Sequence, residues 1–440
     1  MIEDTIVALA GAAKTAVAII RLSGPEARAI AEKILKYSIA QQPSHTIIHN
    51  YVIEAETVID EVLVSYFAAP KSYTGEDLVE INIHGSSYLA YKIITLLVDN
   101  GARLAQPGEF TQRAYLNEKL DLTQAEAIND LVLANNAFSA AKASAGLSGA
   151  ISAEVNDLAT ALQALLANIE VNIDYPEYDD VVDLSHKVIE PQLLNWQRKA
   201  ELLIEQSENS LLIKEGILTV IIGEPNVGKS SLLNALLRED RALVSAVAGT
   251  TRDYIEGEVI LDNLHLRLID TAGLRQGGDS LEQLGMEKTQ DLIKKAQLVI
   301  LVLDASKQRS QQEQHLIKAL ADKEHLIVFN KSDLITVTTE GIYISALKGD
   351  IGALLNELKQ RYDSKALLEV TTLHSQRQLT LMKQASYAIA SALAALQQDL
   401  ELELVAIDLH EAYRCLSDIL GKYNRMDFLA SIFDNFCLGK

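Results

Sequence analysis

Residues 223–230 read GEPNVGKS and lie between the apolar run ILTVII and the helix-forming SLLNALL. A Gly-x-x-x-x-Gly-Lys-Ser spacing between a strand and a helix is a phosphate cradle. Its glycines let the backbone wrap an anion, and its N–H groups converge at a helix N-terminus. Within it, Asn226, Val227, Gly228, Lys229, Ser230 and Ser231 are expected to line the phosphates. Lys229 would reach the β- and γ-phosphates, and Ser230 would bind Mg²⁺. Two further motifs fit a nucleotide. The segment 245–251 (Ser245, Ala246, Val247, Ala248, Gly249, Thr250, Thr251) offers Thr251 as a second Mg²⁺ ligand. DTAG (Asp270, Thr271, Ala272, Gly273) ends the run LHLRLI, where Asp270 can hold Mg²⁺ through water and Gly273 can sense the γ-phosphate.

NKSD at 330–333 resembles the guanine-recognition motif of the GTPase superfamily. Asp333 would accept both hydrogen bonds from the guanine N1 and N2 edge, a donor pair that adenine lacks. Asn330 would brace the loop and the base, and the Lys331 stem would pack on the base plane. Ser345 and Ala346 begin SAL, whose Ala346 N–H is expected at guanine O6. Five motifs in order, each at a strand end, imply GTP hydrolysis. One position breaks the common pattern. Leu274 stands where Ras-like enzymes carry a glutamine that orients the attacking water, so another group must take that role.

The elements that must position these residues follow from hydrophobic periodicity. ILTVIIG, LHLRLID, AQLVILVLD, EHLIVFN and GIYISA are short, nearly continuous apolar runs separated by helices. Such runs predict a mostly parallel sheet covered on both faces, here a Ras-like P-loop domain over 214–365. Residues 1–117 alternate β-rich runs with helical stretches around 25–36 and 86–100, which predicts an α+β domain. Helical pattern fills 118–213 and resumes over 366–440, so the α/β domain is read as inserted into a helical one. Leu147, Ile151, Val155, Leu158, Leu162, Leu165 and Ile169 predict one face of a long helix ended by Pro176, and Thr123 with Glu126 predicts a capping box.

Composition narrows the function classes. The 440 residues include 39 Lys plus Arg against 60 Asp plus Glu, a formal charge of −21, which opposes broad non-specific nucleic-acid binding. No run long and apolar enough for a membrane span appears, and the acidic start MIEDTIVALA lacks the pattern of a secretory leader. Two cysteines, Cys415 and Cys437, make no disulfide framework, and a reducing cytoplasmic setting is expected.

Beyond the nucleotide motifs, YTGEDLVEINIHG, PGEFTQRAYLNEKLDLTQAEAINDL, NIDYPE and the terminal FCLGK resemble the bacterial tRNA modification GTPase family MnmE (TrmE). The resemblance runs from Asp4 to Lys440. It implies an N-terminal domain that binds folate and dimerises, and a helical domain interrupted by the G domain. It also implies an FAD-dependent partner, MnmG. Together the two would add an aminomethyl or carboxymethylaminomethyl group to C5 of the wobble uridine of certain tRNAs. A 5-formyl- or methylenetetrahydrofolate donor would supply the one-carbon unit, and the tRNA would be held mainly by the partner. Arg21, Glu80, Lys119 and Lys440 match folate-contacting positions, and Cys437 matches a cysteine important for modification. The segment GAAKTAVAIIR departs from the family's Pro-Pro, Gly and Arg-rich loop, which puts the shape of the folate pocket in question.

The resemblance also answers Leu274. Its members use K⁺ where other GTPases use an arginine finger, and G domains dimerise across the nucleotide to complete the site. Asn226, Ser245, Val247 and Thr250 match the K⁺ ligands, and Glu282 matches the carboxylate that orients the water. Arg252 and Arg275 are rival sources of positive charge. A ribosome-assembly GTPase switch binding ribosomal RNA, and a folate-free regulatory paralogue, are the competing functions.

Overall fold

The alternating runs at the start of the chain pair into one sheet. The computed structural model describes residues 4–174, 186–238, 257–261, 264–270, 291–336, 340–362, 368, 370–422, 433, 436 and 439. β1 (Ile6–Ala10), β2 (Val17–Ser23), α1 (Ala27–Glu32), β3 (Thr46–Glu54), β4 (Thr57–Phe67), β5 (Leu78–His84), α2 (Ser87–Asp99), β6 (Arg103–Leu104) and α3 (Glu109–Leu116) follow in order. The sheet order is β3-β4-β5-β2-β1-β6. Every pair is antiparallel except β1 with β6. Alternate residues such as Ile20, Leu22, Val64 and Ile81 share a core with Ile30 of α1 and Ile93 and Leu97 of α2. Ser86 caps α2 by accepting the Leu89 N–H.

Helices then take over: α4 (Leu122–Leu133), α5 (Ala137–Leu147), α6 (Ala150–Asp174) and α7 (His186–Glu215). The expected cap is displaced by two residues. Asp121 Oδ1 accepts the Gln124 N–H at 2.9 Å, and Gln124 Oε1 accepts the Asp121 N–H at 3.0 Å. Thr123 instead lies inside the first turn and bonds Asp121 and Ser152. Two pairs at the same spacing compete here, and the one with a carboxylate at the helix N-terminus wins. The long apolar face is also cut. Leu147 closes α5, Gly149 turns at φ +81°, and α6 carries Ile151, Val155, Leu158, Leu162, Leu165 and Ile169, all buried. Pro176 lies outside the described residues.

The second sheet comprises β7 (Ile217–Ile222), β8 (Gly257–Leu261), β9 (Leu264–Asp270), β10 (Leu298–Asp304), β11 (His325–Asn330) and β12 (Ile342–Tyr343), in the order β12-β11-β10-β7-β9-β8. All pairs are parallel except β8 with β9. Helices α8 (Lys229–Leu237), α9 (Gln311–Ala319) and α10 (Gly352–Arg361) connect or flank it. Every residue of β10 is buried. Leu298, Ile300 and Val302 face a core containing Leu232 and Leu354, while Val299, Leu301 and Leu303 face one containing Leu320. A strand apolar on both faces belongs in the middle of a covered parallel sheet.

Helices α11 (Gln376–Gln397) and α12 (Leu402–Leu420) follow. α12 packs along α6, with His410 Nε2 at 3.1 Å from Glu170 and Lys422 Nζ donating to Asn156 at 2.8 Å. By packing, Met1–Leu133, Gly146–Leu194 and Gln384–Lys440 form one unit, and Ala134–Ala145 with Asn195–Lys383 form the other. Helices α7 and α11 contribute to both. Cys415 is buried on α12, and burial pushes its thiol up to about 11, as suits an inert core residue. Among the described residues, no helix is long and apolar enough to cross a membrane.

Candidate functional site

In the second unit, the loop between β7 and α8 has a backbone that only certain residues adopt. Gly223 sits at φ +151°, and a Cβ there would stand 2.3 Å from the Val302 carbonyl oxygen. Gly228 sits at φ +98°, and its Cβ would stand 2.2 Å from Asn330 Nδ2. Asn226 takes the left-handed conformation at φ +64° without being glycine. Lys229 is almost fully buried and donates to the Gly223 and Glu224 carbonyls at 3.1 and 2.8 Å. Its ammonium therefore lies over the loop, where an incoming phosphate would compete with those carbonyls. Glu224 in turn accepts from Ser310 Oγ, and Ser310 caps α9 in a capping box with Glu313.

Asn330, at the end of β11, links three loops. Its Nδ2 donates to the Val227 carbonyl at 2.8 Å, and its Oδ1 accepts the Ala346 N–H at 3.0 Å. The Ala346 N–H, expected at guanine O6, is thus directed at Asn330 Oδ1. A buried N–H requires an acceptor, and this side chain supplies one. Asp333 lies beyond the turn with Oδ1 accepting from Ser345 Oγ at 2.8 Å and Oδ2 3.6 Å from Lys348 Nζ. The Ser345 hydrogen bond, helped by Lys348, holds its carboxyl below the usual carboxylate range. An ionised carboxylate at this position can accept two N–H groups from a purine edge. Lys331 takes φ +65° and places Nζ 2.7 Å from Asp304 at the end of β10. A cavity of about 440 Å³ adjoins these loops, lined by Ser231, Asn234, Ala235, Arg238, Ala346 and Lys348 among others.

Asp270 closes β9, in register with Ile221 of β7, two residues before the phosphate loop. Ser245, Ala246, Val247, Ala248, Gly249, Thr250, Thr251, Thr271, Ala272, Gly273 and Glu282 lie outside the described residues. Sequence reasoning passed over Asp304. Its one signal was an acidic residue closing an apolar run, LVILVLD, as Asp270 closes LHLRLID.

The first unit holds the other candidate residues. Arg21 on β2 and Glu80 on β5 are cross-strand partners, with Nε and Nη2 at 2.9 and 2.7 Å from Glu80 Oε1. The Arg21 guanidinium lies 5.5 Å from the Tyr73 ring centroid and 5.7 Å from that of Phe110, and Nη1 donates to the Gly439 carbonyl at 3.2 Å. Gly439 of the terminal FCLGK is therefore beside Arg21. Lys119 donates to the Pro70 carbonyl at 3.0 Å, on the loop that carries Tyr73. Cys437 and Lys440 lie outside the described residues.

The same unit holds an ionic network. Arg113 is fully buried and pairs with Asp4, Glu76 and Glu109 at 2.8, 3.2 and 3.0 Å. Burial pushes the Glu109 carboxyl up, but hydrogen bonds from Arg103, Gln106 and Arg113 outweigh it and hold the carboxyl below its usual value. His84, the last residue of β5, meets the buried Asp60 at 2.6 Å, and that hydrogen bond raises its pKa, as befits a histidine with a structural partner.

A phosphate loop, an acidic strand end beside it and an Asn-Lys-Ser-Asp turn braced to that loop define a P-loop GTPase. The model of the MnmE helical domain matches residues 122–437, and that of the GTP-binding protein TrmE N-terminus matches residues 5–119. The tRNA modification GTPase MnmE of Acholeplasma laidlawii is 39% identical over 99% of both chains. Its namesake in Bacillus subtilis is 38% identical over 99% of this chain and all of its own. The chain belongs to the MnmE family of tRNA modification GTPases. Among solved structures, Aquifex aeolicus Era bound to GDP·AlF4⁻ is 26% identical, covering 39% of this chain and 66% of its own at a TM-score of 0.27.

Proposed function

We propose that this chain is a GTP-hydrolysing tRNA modification enzyme that works as a homodimer with the FAD-dependent MnmG in the cytoplasm. Together they add an aminomethyl or carboxymethylaminomethyl group to C5 of a wobble uridine. The observation that carries this reading is the family match over nearly the whole chain, which joins the nucleotide loops to the Arg21–Glu80 pair in one polypeptide. With a charge of −21, the chain leaves most of the tRNA contact to its partner.

In the G domain, Asp333 accepts hydrogen bonds from guanine N1–H and N2–H, and the Lys331 stem covers the base. Lys229 exchanges its loop carbonyls for β- and γ-phosphate oxygens. The residues present suit the expected ions: Ser230 and Thr251 offer hydroxyls for Mg²⁺, Asn226 a side-chain oxygen for K⁺, with Ser245, Val247 and Thr250 completing the second set. When bound, the two cations offset the negative charge that develops on the phosphates. Glu282 orients the attacking water, so Leu274 needs no polar group. In the first unit, the Arg21–Glu80 fork on its aromatic shelf, with Lys119 and Lys440, suits the charged and planar parts of a folate, whose one-carbon unit is the group transferred.

The test is GTP turnover in KCl against NaCl at equal ionic strength, with wild type and Glu282→Ala. The expected result is a K⁺-specific stimulation of about tenfold or more, with turnover lost but GTP binding kept in Glu282→Ala. Equal rates in both salts would remove the cation from the mechanism and turn attention to Arg252 and Arg275.

A further inference from the structure

Asp304 has no place in the five nucleotide motifs, yet it is one of the most constrained carboxylates in the second unit. It closes β10 and lies in register with Asn330 of β11. The residue is 6% exposed. One oxygen accepts the Lys331 ammonium at 2.7 Å, with Lys307 Nζ 4.0 Å away. The other accepts the Ser306 N–H at 3.0 Å and Ser306 Oγ at 2.6 Å. Burial pushes the carboxyl up, but the hydrogen bonds from Lys331 and Ser306 outweigh it and hold it below the ordinary range.

These bonds are not needed to join the two strand ends. The Ala305 N–H already donates to the Asn330 carbonyl at 2.9 Å. What the carboxylate adds is control of one side chain. Lys331 stands between Asn330, which braces the phosphate loop, and Asp333, which accepts from Ser345 and is read as the acceptor for the purine edge. Its φ of +65° is one that L-residues rarely adopt, and it turns the side chain back toward β10. A free lysine stem carries about 2 kcal/mol of rotamer entropy. A stem fixed at both ends, by the backbone turn and by Asp304, has lost that freedom before any base arrives.

We infer that Asp304 is a positioning residue for guanine recognition: it holds the Lys331 stem extended as a ready-made platform for the base. This rests on the reading of Lys331 as the residue that covers the base. Preorganisation of this kind raises affinity by removing an ordering cost from the binding step. It acts on the base, and leaves the phosphate contacts of Lys229 and Ser230 unchanged.

The experiment is fluorescence titration of the full-length chain with N-methylanthraniloyl-GDP. The chains are wild type, Asp304→Asn, Lys331→Met, the double variant and Asp333→Asn. Asp304→Asn is expected to weaken binding about tenfold, the worth of a charge-assisted hydrogen bond. The double variant should bind no more weakly than Lys331→Met alone, because Asp304 acts only through that side chain. A merely structural Asp304 would instead give losses that multiply. Binding by Asp304→Asn within about twofold of wild type, or multiplying losses, overturns the inference. If Asp304→Asn melts below the assay temperature, Ser306→Ala decides. A loss of about threefold supports the role, and wild-type affinity removes it. Failure of the wild type itself to bind overturns the site reading as a whole. Binding by the wild type that is lost in Asp333→Asn and kept in Asp304→Asn overturns this inference alone.

Discussion

Asn330 and Arg113 each serve several partners from one side chain, and they differ in how visible that is in sequence. Asn330 belongs to a motif whose spacing names it, although its bridging of Val227 and Ala346 emerges only once the three loops meet. Arg113 sits in FTQRAYL without any motif to announce it, because its partners Asp4 and Glu76 are distant in sequence. Burial of a cation is tolerated when carboxylates surround it, and removing the cation leaves them uncompensated. Arg113→Met is therefore expected to destabilise the first unit by about 3–5 kcal/mol, read as a lower denaturant midpoint. A midpoint equal to wild type would show that the network contributes little. Because Glu76 lies three residues from Tyr73, the same variant should also weaken the folate binding proposed at Arg21.

At the scale of elements, strands were legible because continuous apolar runs and alternating runs have different physical causes. LVILVLD is buried on both faces, while TIIHNYVIE alternates. Helix boundaries were less so. Asp121 and Gln124 compete with Thr123 and Glu126 at identical spacing, and only the fold decides which pair caps. The turn at Gly149 splits a periodicity that sequence alone reads as continuous. The segment before α11 holds a feature that no periodicity could show. His374 is buried, its N–H donates to Gln378 at 2.9 Å and its carbonyl accepts from Lys214 at 2.7 Å. Burial, then Lys214 and Lys142, push its pKa down to about 3. An unfolded histidine titrates near 6.5. Between those values the unfolded chain takes up a proton that the folded chain refuses, so stability falls as pH drops through this window, by up to about 1.4 kcal/mol per pH unit. His374→Gln is expected to lose less stability than wild type between pH 6.5 and 4 in parallel urea titrations. Equal slopes would mean that the histidine is protonated within the fold.

At the scale of the whole molecule, one chain carries a mostly parallel sheet with guanine-type loops and, in its other unit, an Arg21–Glu80 pair with Gly439 beside it. Resemblance to the family was readable from YTGEDLVEINIHG, LNEKLDLTQAEAI and FCLGK, long stretches whose combination is specific. The division by packing was not readable, since α7 and α11 each run through both units without a break in pattern. The proposed modification draws on both units, so a lesion in either should appear in the same product. The most direct measurement is mass spectrometry of wobble nucleosides in tRNA from a bacterium lacking its own MnmE, supplied with wild-type chain, Asp333→Asn or Arg21→Ala. Wild type is expected to restore the C5-modified uridine, and both variants, expressed at equal levels, to leave it largely unmodified. Full restoration by either variant would contradict a part for guanine recognition, or for Arg21, in the modification.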